Sequence, residues 1–222
     1  DRCLSRGLGD VYKRQAQPAF EGRIHPLQLA LDVQGAMSDG DWLVIDGGNT
    51  HFWSEIAVNI AGFQGKKLGG ILHPGTFSLL GVGVSFAVSA KNVDPNRNVV
   101  LISGDGAFLS GGLSIEAAFQ ENRPIVVVID NNGGLDCISQ QQERLFASGT
   151  HYATDFRDIP FHAMFEGLGG HGELVTRRED IIPAVQRAMA SGKTACVNVK
   201  VKGVISPIVL ATTSKRDKAS IE

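Results

Sequence analysis

The chain has 222 residues and a formal net charge of −2, and 43% of its residues are hydrophobic. Its length suits one domain with a substantial core. The charge gives no indication of nucleic-acid binding or of an anionic membrane surface, and no apolar run is long enough to span a membrane. The sequence shows no secretory signal, and its three cysteines include no CxxC motif, so we expect a reducing, cytoplasmic location.

The first 22 residues differ from the rest of the sequence. Residues 1–15, DRCLSRGLGDVYKRQ, have no periodic apolar pattern and resemble translated sequencing adapter, and residues 16–22 resemble a linker. We predict that residues 1–22 are a non-native scar with a linker, a native disordered or linker segment being the alternative. The domain is then predicted over residues 23–210, with a polar tail at residues 211–222.

Helix and strand signals alternate along residues 23–210. Helices are predicted over residues 26–38, 79–90, 109–120, 161–167 and 176–190, the last with a Thr176–Glu179 capping box. Strands are predicted over residues 42–45, 68–72, 99–103, 125–129, 169–174 and 195–201, and the segment 135–142 is ambiguous. The alternation predicts an α/β fold: a doubly wound, mostly parallel sheet with helices on both faces.

Polar residues follow the two most apolar strand signals. Asp105 stands in a GDG sequence, predicted to be a tight turn, directly after strand 99–103. Asn131 and Asn132 follow strand 125–129 in the same way. In open α/β sheets, ligands bind at the carboxyl ends of the strands. We therefore expect these side chains to meet at one edge of the sheet.

The chemistry of this set suits a hard cation that bridges to a phosphate. The Asp105 carboxylate, the Asn132 amide oxygen and the Gly134 carbonyl are oxygen ligands of the kind that Mg²⁺ prefers. Gly104, Gly106 and the backbone N–H groups that follow suit a phosphate. A lone GDG or NNG would more simply be a turn or a cap. The two together, joined by a helix, are more specific.

The spacing GDG, 24 residues, NN resembles the thiamine diphosphate motif of thiamine-dependent decarboxylases, carboligases and transketolases. Residues 73–90, HPGTFSLLGVGVSFAVSA, and residues 46–53, DGGNTHFW, resemble the acetolactate synthase, benzoylformate decarboxylase and oxalyl-CoA decarboxylase group. The resemblance covers about residues 23–210. It implies the C-terminal diphosphate-binding domain of such an enzyme, with thiamine diphosphate and Mg²⁺ as cofactors.

The resemblance also implies roles for individual residues. Asp105, Asn132 and the Gly134 carbonyl would bind Mg²⁺, and Leu80 would support the bent form of the cofactor, although from sequence alone it is more simply a core leucine. The loop at residues 48–50 would contact the diphosphate, a plain turn being the alternative. The full set assigned to cofactor binding is Gly48, Asn49, Thr50, Leu80, Gly104, Asp105, Gly106, Ala107, Asn132 and Gly134.

The resemblance assigns the activating glutamate to a different domain, across a subunit interface. No segment here resembles that domain, so no catalytic residue is assigned. We expect a fragment that needs a pyrimidine-binding domain from the same protein or another subunit, and a homo-oligomer at full length. An exposed apolar surface including Leu80, Leu135 and Phe52-Trp53 should meet that domain.

Three further residues lie near the predicted site. His51 and His73 flank it, as proton donors, as diphosphate contacts, or as merely structural histidines. Cys137 follows the cofactor loop, but no base stands beside it in sequence, and it is not assigned as a nucleophile.

The leading functional hypothesis is an acetolactate synthase-like enzyme that decarboxylates 2-oxo acids, with or without carboligation. One alternative is a 2-hydroxyacyl-CoA or oxalyl-CoA lyase with an acyl-CoA substrate, because GGNT resembles the loop of that branch. Another is the smaller subunit of a two-chain thiamine-dependent decarboxylase. A dinucleotide-binding enzyme is disfavoured, because no GxGxxG follows a first strand.

Overall fold

The computed structural model of the chain describes residues 23–146 and 148–213. Its elements, in chain order, are α1 (Pro26–Ala36), β1 (Trp42–Asp46), α2 (Asn49–Phe63), β2 (Gly70–Leu72), α3 (Gly83–Val93), β3 (Val99–Gly104), α4 (Asp105–Gly111), α5 (Glu116–Gln120), β4 (Val126–Asn131), α6 (Asp136–Leu145), α7 (Phe161–Gly167), β5 (His171–Val175), α8 (Ile181–Ala190), β6 (Ala195–Lys200) and α9 (Pro207–Thr213). The predicted scar and linker at residues 1–22 lie outside the described residues. Helix α9 crosses the predicted tail boundary at residue 210.

The strands form a six-stranded sheet in the order β2-β1-β3-β4-β6-β5, and every pair is parallel. Successive side chains of a strand point to opposite faces. Leu43 and Ile45 of β1 pack with α1, α2 and α8, whereas Val44 packs with α3, α4, α5 and α7. Helices therefore cover both faces, and the predicted doubly wound α/β fold is confirmed.

The order of the strands places a topological switch point between β1 and β3. From β1 the chain moves outward to β2, and it then returns to the other side of β1 as β3. In sheets of this kind, the loops after the two strands diverge and leave a crevice at their carboxyl ends. Asp46 pairs with Ser103 at this edge, so the loops after β1 and β3 begin side by side.

The predicted helix over residues 109–120 is wrong in its bounds. Asp105 begins α4 instead of standing in a tight turn, and a 3₁₀ turn at Gly112–Ile115 separates α4 from α5. The interruption falls where Gly111 packs so closely on the carbonyl of Gly81 that a Cβ would not fit. Two adjacent glycines weaken a helix at such a point.

The predicted helix over residues 79–90 starts later, at Gly83. Gly81 has φ of 91°, in the left-handed region that favours glycine. The N–H groups of Gly81 and Gly83 both donate to Asp46 Oδ2, at 2.9 and 2.7 Å. The start of α3 is thus set by a carboxylate at the end of β1, and the local sequence pattern around α3 does not reveal this contact.

Two other local predictions are corrected. The Thr176–Glu179 capping box does not form; Arg178–Asp180 is a 3₁₀ turn, and Glu179 contacts the guanidinium of Arg177. Trp53 does not belong to an exposed surface, because it is buried and its Nε1 donates to the carbonyl of Val204 at 2.8 Å. The ambiguous segment 135–142 forms most of α6.

No helix within the described residues has the length and apolar character needed to cross a membrane.

Candidate functional site

Asp105 lies at the carboxyl end of β3, as the first residue of α4, and is almost fully buried. Its Oδ1 accepts the N–H of Gly106 at 2.7 Å. Its Oδ2 accepts the N–H groups of Gly133 and Gly134 at 2.8 and 3.1 Å. The carboxylate therefore joins the start of α4 to the loop after β4.

Asn132 points to the same place. Its Oδ1 accepts the N–H of Gly134 at 3.2 Å, so the Asp105 and Asn132 oxygens share one donor. Gly134 forms an isolated bridge with Asp155, and a Cβ on it would collide with the carbonyl of Thr154. The structure thus brings together the three residues predicted to bind magnesium: a carboxylate, an amide and the backbone at Gly134.

The loop after β1 is held mainly by side chains that face the protein. Asn49 Nδ2 donates to Asp136 Oδ2 at 3.2 Å and to Gln140 Oε1 at 3.1 Å, and Asn49 Oδ1 accepts the N–H of Ser206. Thr50 Oγ1 donates to Asp130 Oδ2 at 2.8 Å. These side chains therefore fix the first turn of α2. Because they are already bonded within the protein, an anion would bind through the backbone N–H groups of that turn.

Glycines let the loops approach one another at the crevice. A Cβ on Gly104 would lie 3.0 Å from Thr50 Oγ1, and a Cβ on Gly48 would lie 3.1 Å from the Cβ of Cys137. Gly106 lies under Leu135, whose side chain a Cβ would meet at 2.5 Å. Ala107 is buried in the next position of α4. Sequence reasoning assigned Gly48 and Gly106 only to ligand contact, whereas both also make room for the loop that begins α6.

Leu80 lies in the irregular segment that Asp46 anchors, and it is 38% exposed. It is not a core leucine. The neighbouring Phe77 and Leu79 are 90% and 58% exposed. Leu109 and Leu113, on either side of the Gly111 that packs on Gly81, are also exposed. Of the apolar surface predicted here, Leu80 is exposed, Leu135 and Phe52 are partly exposed, and Trp53 is buried.

Two buried carboxylates, Asp105 and Asp130, share the site with the partly buried carboxylate of Asp136. The pKa of Asp105 is raised to about 6, mainly by burial and further by the negative charge of Asp136. Hydrogen bonds from three backbone N–H groups lower it, but by less. Burial raises the pKa of Asp130 to about 7, and the charges of Asp105 and Asp136 add to this. The pKa of Asp136 is also raised by burial. A divalent cation at Asp105 would relieve this repulsion.

Sequence reasoning missed Asp130 and Asp46. Asp130 is fully buried, and its Oδ1 has no partner among the described residues. The sequence signal for both was a charged residue at the end of an apolar strand, directly before a motif. Burial raises the pKa of the Cys137 thiol, which disfavours its reactive thiolate form.

Comparison with known proteins identifies the family of the chain. The family model described as the thiamine pyrophosphate enzyme, C-terminal TPP binding domain, matches residues 46–199. The chain belongs to this family. The matched range begins at Asp46 and contains the crevice loops of this TPP-binding domain, including Asp105, Asn132 and Gly134.

Relatives of this TPP-binding domain cover several activities. The chain is 34% identical over 182 residues to a probable acetolactate synthase of Mycobacterium bovis, which covers 79% of this chain and 31% of the relative. It is 28% identical over 203 residues to 2-hydroxyacyl-CoA lyase 2 of Danio rerio, covering 86% of this chain and 31% of the relative. The chain thus spans about a third of the length of these curated relatives.

A solved structure has the same fold as the TPP-binding domain. It is the thiamine diphosphate-dependent 4-hydroxybenzoylformate decarboxylase of Rhodococcus jostii, with a TM-score of 0.68 and 26% sequence identity. The match covers 83% of this chain and 34% of that protein.

The buried carboxylates give a testable dependence of stability on pH. The folded-state pKa of Asp130 is raised to about 7, and an unfolded aspartate titrates near pH 3.9. Between these values the unfolded chain has released a proton that the folded chain keeps. The free energy of unfolding therefore falls as pH rises, by at most about 1.4 kcal/mol per pH unit for this group. Asp130→Asn should flatten that fall, measured by urea unfolding across this range.

Asp158→Asn is the control for this experiment. Asp158 is exposed, and Lys200 lowers its pKa, so its small stabilising contribution is lost as pH falls. Removing it should not flatten the fall between about pH 4 and about pH 7. Equal pH profiles for wild type and Asp130→Asn would contradict the raised pKa.

Proposed function

We propose that the chain binds the diphosphate of thiamine diphosphate through Mg²⁺ in an enzyme that acts on 2-oxo acids by decarboxylation, carboligation or both, as in acetolactate synthases. The observation that carries this proposal is the meeting of Asp105 and Asn132 at the N–H of Gly134, beside the switch point of the sheet. Family membership supports the cofactor, and the probable acetolactate synthase relative supports the reaction class.

The donor set fits magnesium. Asp105 supplies a carboxylate, Asn132 an amide oxygen and Gly134 a backbone carbonyl, and hard oxygen ligands of these kinds leave room for phosphate and water. The buried, mutually repelling carboxylates favour a bound cation. Gly104, Gly106, Ala107 and the first turn of α2, at Gly48, Asn49 and Thr50, would contact the diphosphate.

In this proposal the chain positions the cofactor, and the cofactor supplies the nucleophilic carbon and the electron sink that decarboxylation needs. Asp105 holds the ion that fixes the diphosphate end. Leu80, held through the N–H of the adjacent Gly81, would support the bound cofactor. Fixing the reacting groups in this way lowers the entropic part of the barrier.

A 2-hydroxyacyl-CoA lyase remains the second candidate, because 2-hydroxyacyl-CoA lyase 2 of Danio rerio is also a relative. An acyl-CoA would then replace the 2-oxo acid as substrate. Turnover of pyruvate compared with turnover of a 2-hydroxyacyl-CoA, with the pyrimidine-binding domain present, would separate the two.

We also propose that the full-length protein is a homo-oligomer in the cytoplasm. Exposed Phe77, Leu79, Leu80, Leu109 and Leu113 support burial against another domain or subunit. Cys137 and Cys196 are free thiols, which suits a reducing compartment.

Calorimetric titration of the chain with thiamine diphosphate tests the proposal. We expect saturable binding with Mg²⁺ present and binding weaker by about tenfold or more after the metal is chelated, because the ion bridges protein and diphosphate. NAD⁺ is the control ligand and should not bind. Absence of binding, or equal binding with a chelator, would contradict the proposed function.

A further inference from the structure

A second group of metal-binding side chains lies beside the crevice. His51 and Glu55 belong to α2, and His73 follows β2. One ligand atom from each lies within 4.8 Å of the others, and within the described residues this is the one group of three His, Cys, Asp or Glu with that spacing. None of the three belongs to the oxygen set around Asp105.

The geometry follows from the helix and the neighbouring loop. His51 and Glu55 are four residues apart and share one face of α2. His51 Nε2 lies 3.0 Å from Glu55 Oε1. The ring centroids of His51 and His73 are 5.0 Å apart, with an interplanar angle of 53°. In a tetrahedral zinc site, bonds of about 2.1 Å place ligand atoms about 3.4 Å apart, so small side-chain movements suffice.

The group is partly preorganised. His51 is 5% exposed, and its ring stacks on Phe52 at a centroid distance of 5.4 Å. Its orientation is therefore fixed before an ion arrives. Glu55 is partly exposed and can adjust its position. Ordering of the ligands accordingly costs little for His51 and more for the other two.

Two existing hydrogen bonds would be exchanged. The bond between His51 and Glu55 is lost, because its proton is released when both groups bind the ion. His73 Nδ1 accepts the N–H of Gly75 at 3.2 Å. If the ion binds Nδ1, it displaces this N–H; if it binds Nε2, Nδ1 carries the proton and cannot accept. Either way the Gly75 N–H, which is at the surface, passes to water at small cost.

We propose that His51, Glu55 and His73 bind one divalent transition-metal ion of the zinc type, separate from the magnesium proposed at Asp105. Two imidazole nitrogens and one carboxylate oxygen, with water in a fourth position, are a common zinc set. Mg²⁺ prefers oxygen ligands and competes poorly here. The ion joins the first turns of α2 to the segment that leads to Leu80, and so restrains that segment.

Cobalt is the probe, because Co²⁺ occupies zinc sites and absorbs visible light. The chain, free of any affinity tag, is titrated with Co²⁺ in excess Mg²⁺. We expect one ion per chain, displaced by Zn²⁺. Affinity should fall by about tenfold or more in His73→Ala and in Glu55→Gln, since each removes a ligand. Thermal unfolding of each variant checks that the fold is intact.

His151→Ala is the matched control. His151 also has two carboxylate partners, Glu143 at 2.9 Å and Asp155 at 2.8 Å, but they bond to opposite nitrogens of its ring, so the three cannot share one ion. Its loss should leave cobalt binding unchanged. Absence of saturable cobalt binding, unchanged affinity in His73→Ala, loss in His151→Ala, or displacement by Mg²⁺ would each overturn the proposal. None of these results depends on whether thiamine diphosphate binds.

Should a variant fail to fold, histidine NMR of the wild-type chain gives an independent answer. Zn²⁺ should shift the imidazole signals of His51 and His73 and leave those of His151 and His171 in place. The opposite pattern would place the ion elsewhere and overturn the assignment.

Discussion

Asp105→Asn is expected to weaken magnesium-dependent binding of thiamine diphosphate by at least about 100-fold, because loss of a residue that only orients a metal ligand already costs 10–100-fold. The substitution keeps the shape of the side chain and removes its negative charge. The remaining amide oxygen cannot replace a charged ligand, and the amide NH₂ cannot bind a cation.

The same substitution should change stability far less than it changes cofactor binding. Asp105 accepts three backbone N–H groups, and asparagine has one oxygen, so its NH₂ must face at least one donor. That mismatch costs about 1–3 kcal/mol. Removal of a buried charge whose pKa is raised to about 6 offsets part of the cost at neutral pH. Calorimetric titration and thermal unfolding measure the two effects separately.

Asp130→Asn is the matched control for Asp105→Asn. Asp130 is buried and close enough for its charge to interact with that of Asp105, but it is not among the proposed ligands. Asparagine keeps an oxygen that can accept the Thr50 hydroxyl, so the loss of charge should change cofactor affinity by less than about tenfold. Equal losses in the two variants would refute Asp105 as a specific magnesium ligand.

Turnover of pyruvate by the 222-residue chain alone, supplied with thiamine diphosphate and Mg²⁺, should be lower by about 10²-fold or more than with a pyrimidine-binding domain added, because a positioned proton-transfer group is worth 10²–10⁴ in rate. The proposed site holds the diphosphate end of the cofactor. The resemblance assigns the activating glutamate to the other domain. Leu80, at 38% exposure, lies on the side left open.

The assay compares the chain alone, the chain with a separately produced pyrimidine-binding domain, and Asp105→Asn with that domain. Any gain should require both the added domain and Asp105. Substantial turnover by the chain alone would show that the glutamate is present here and that the architecture is misassigned.

The order of helices and strands was predictable from sequence, because buried parallel strands contain continuous apolar runs, such as residues 126–129 of β4. The meeting of Asp105 and Asn132 followed from the same reasoning, since both stand at strand ends. Helix starts were less predictable. Asp46, far away in sequence, accepts the N–H groups of Gly81 and Gly83 at the start of α3, and no local pattern reveals such a contact.

Side-chain environments at the site were the least predictable part. Asn49 and Thr50 stand in a motif, yet their side chains are directed to Asp136 and Asp130. Trp53 stands beside them and is buried because Val204, about 150 positions along the chain, accepts its N–H. Glu55 became a candidate ligand only when His73 was placed beside α2. Each case depends on pairing between distant segments.

Gly81 packs closely on Gly111, and Asp46 accepts the N–H groups of Gly81 and Gly83. Residues from Gly81 onward and the loop before them should therefore tolerate substitution differently. At Gly81 an added methyl group meets the backbone of Ser110 and Gly111, and at Gly83 it meets the side chains of Asp46 and Leu101, so substitutions of these two glycines should be rejected. Residues 76–79 are exposed and precede both anchors. In homologous sequences, residues 76–79 should therefore vary and accept insertions, while Leu80 keeps its position relative to Gly81. A library randomised at residues 76–79 would offer a way to retune the proposed partner surface without disturbing the proposed magnesium site.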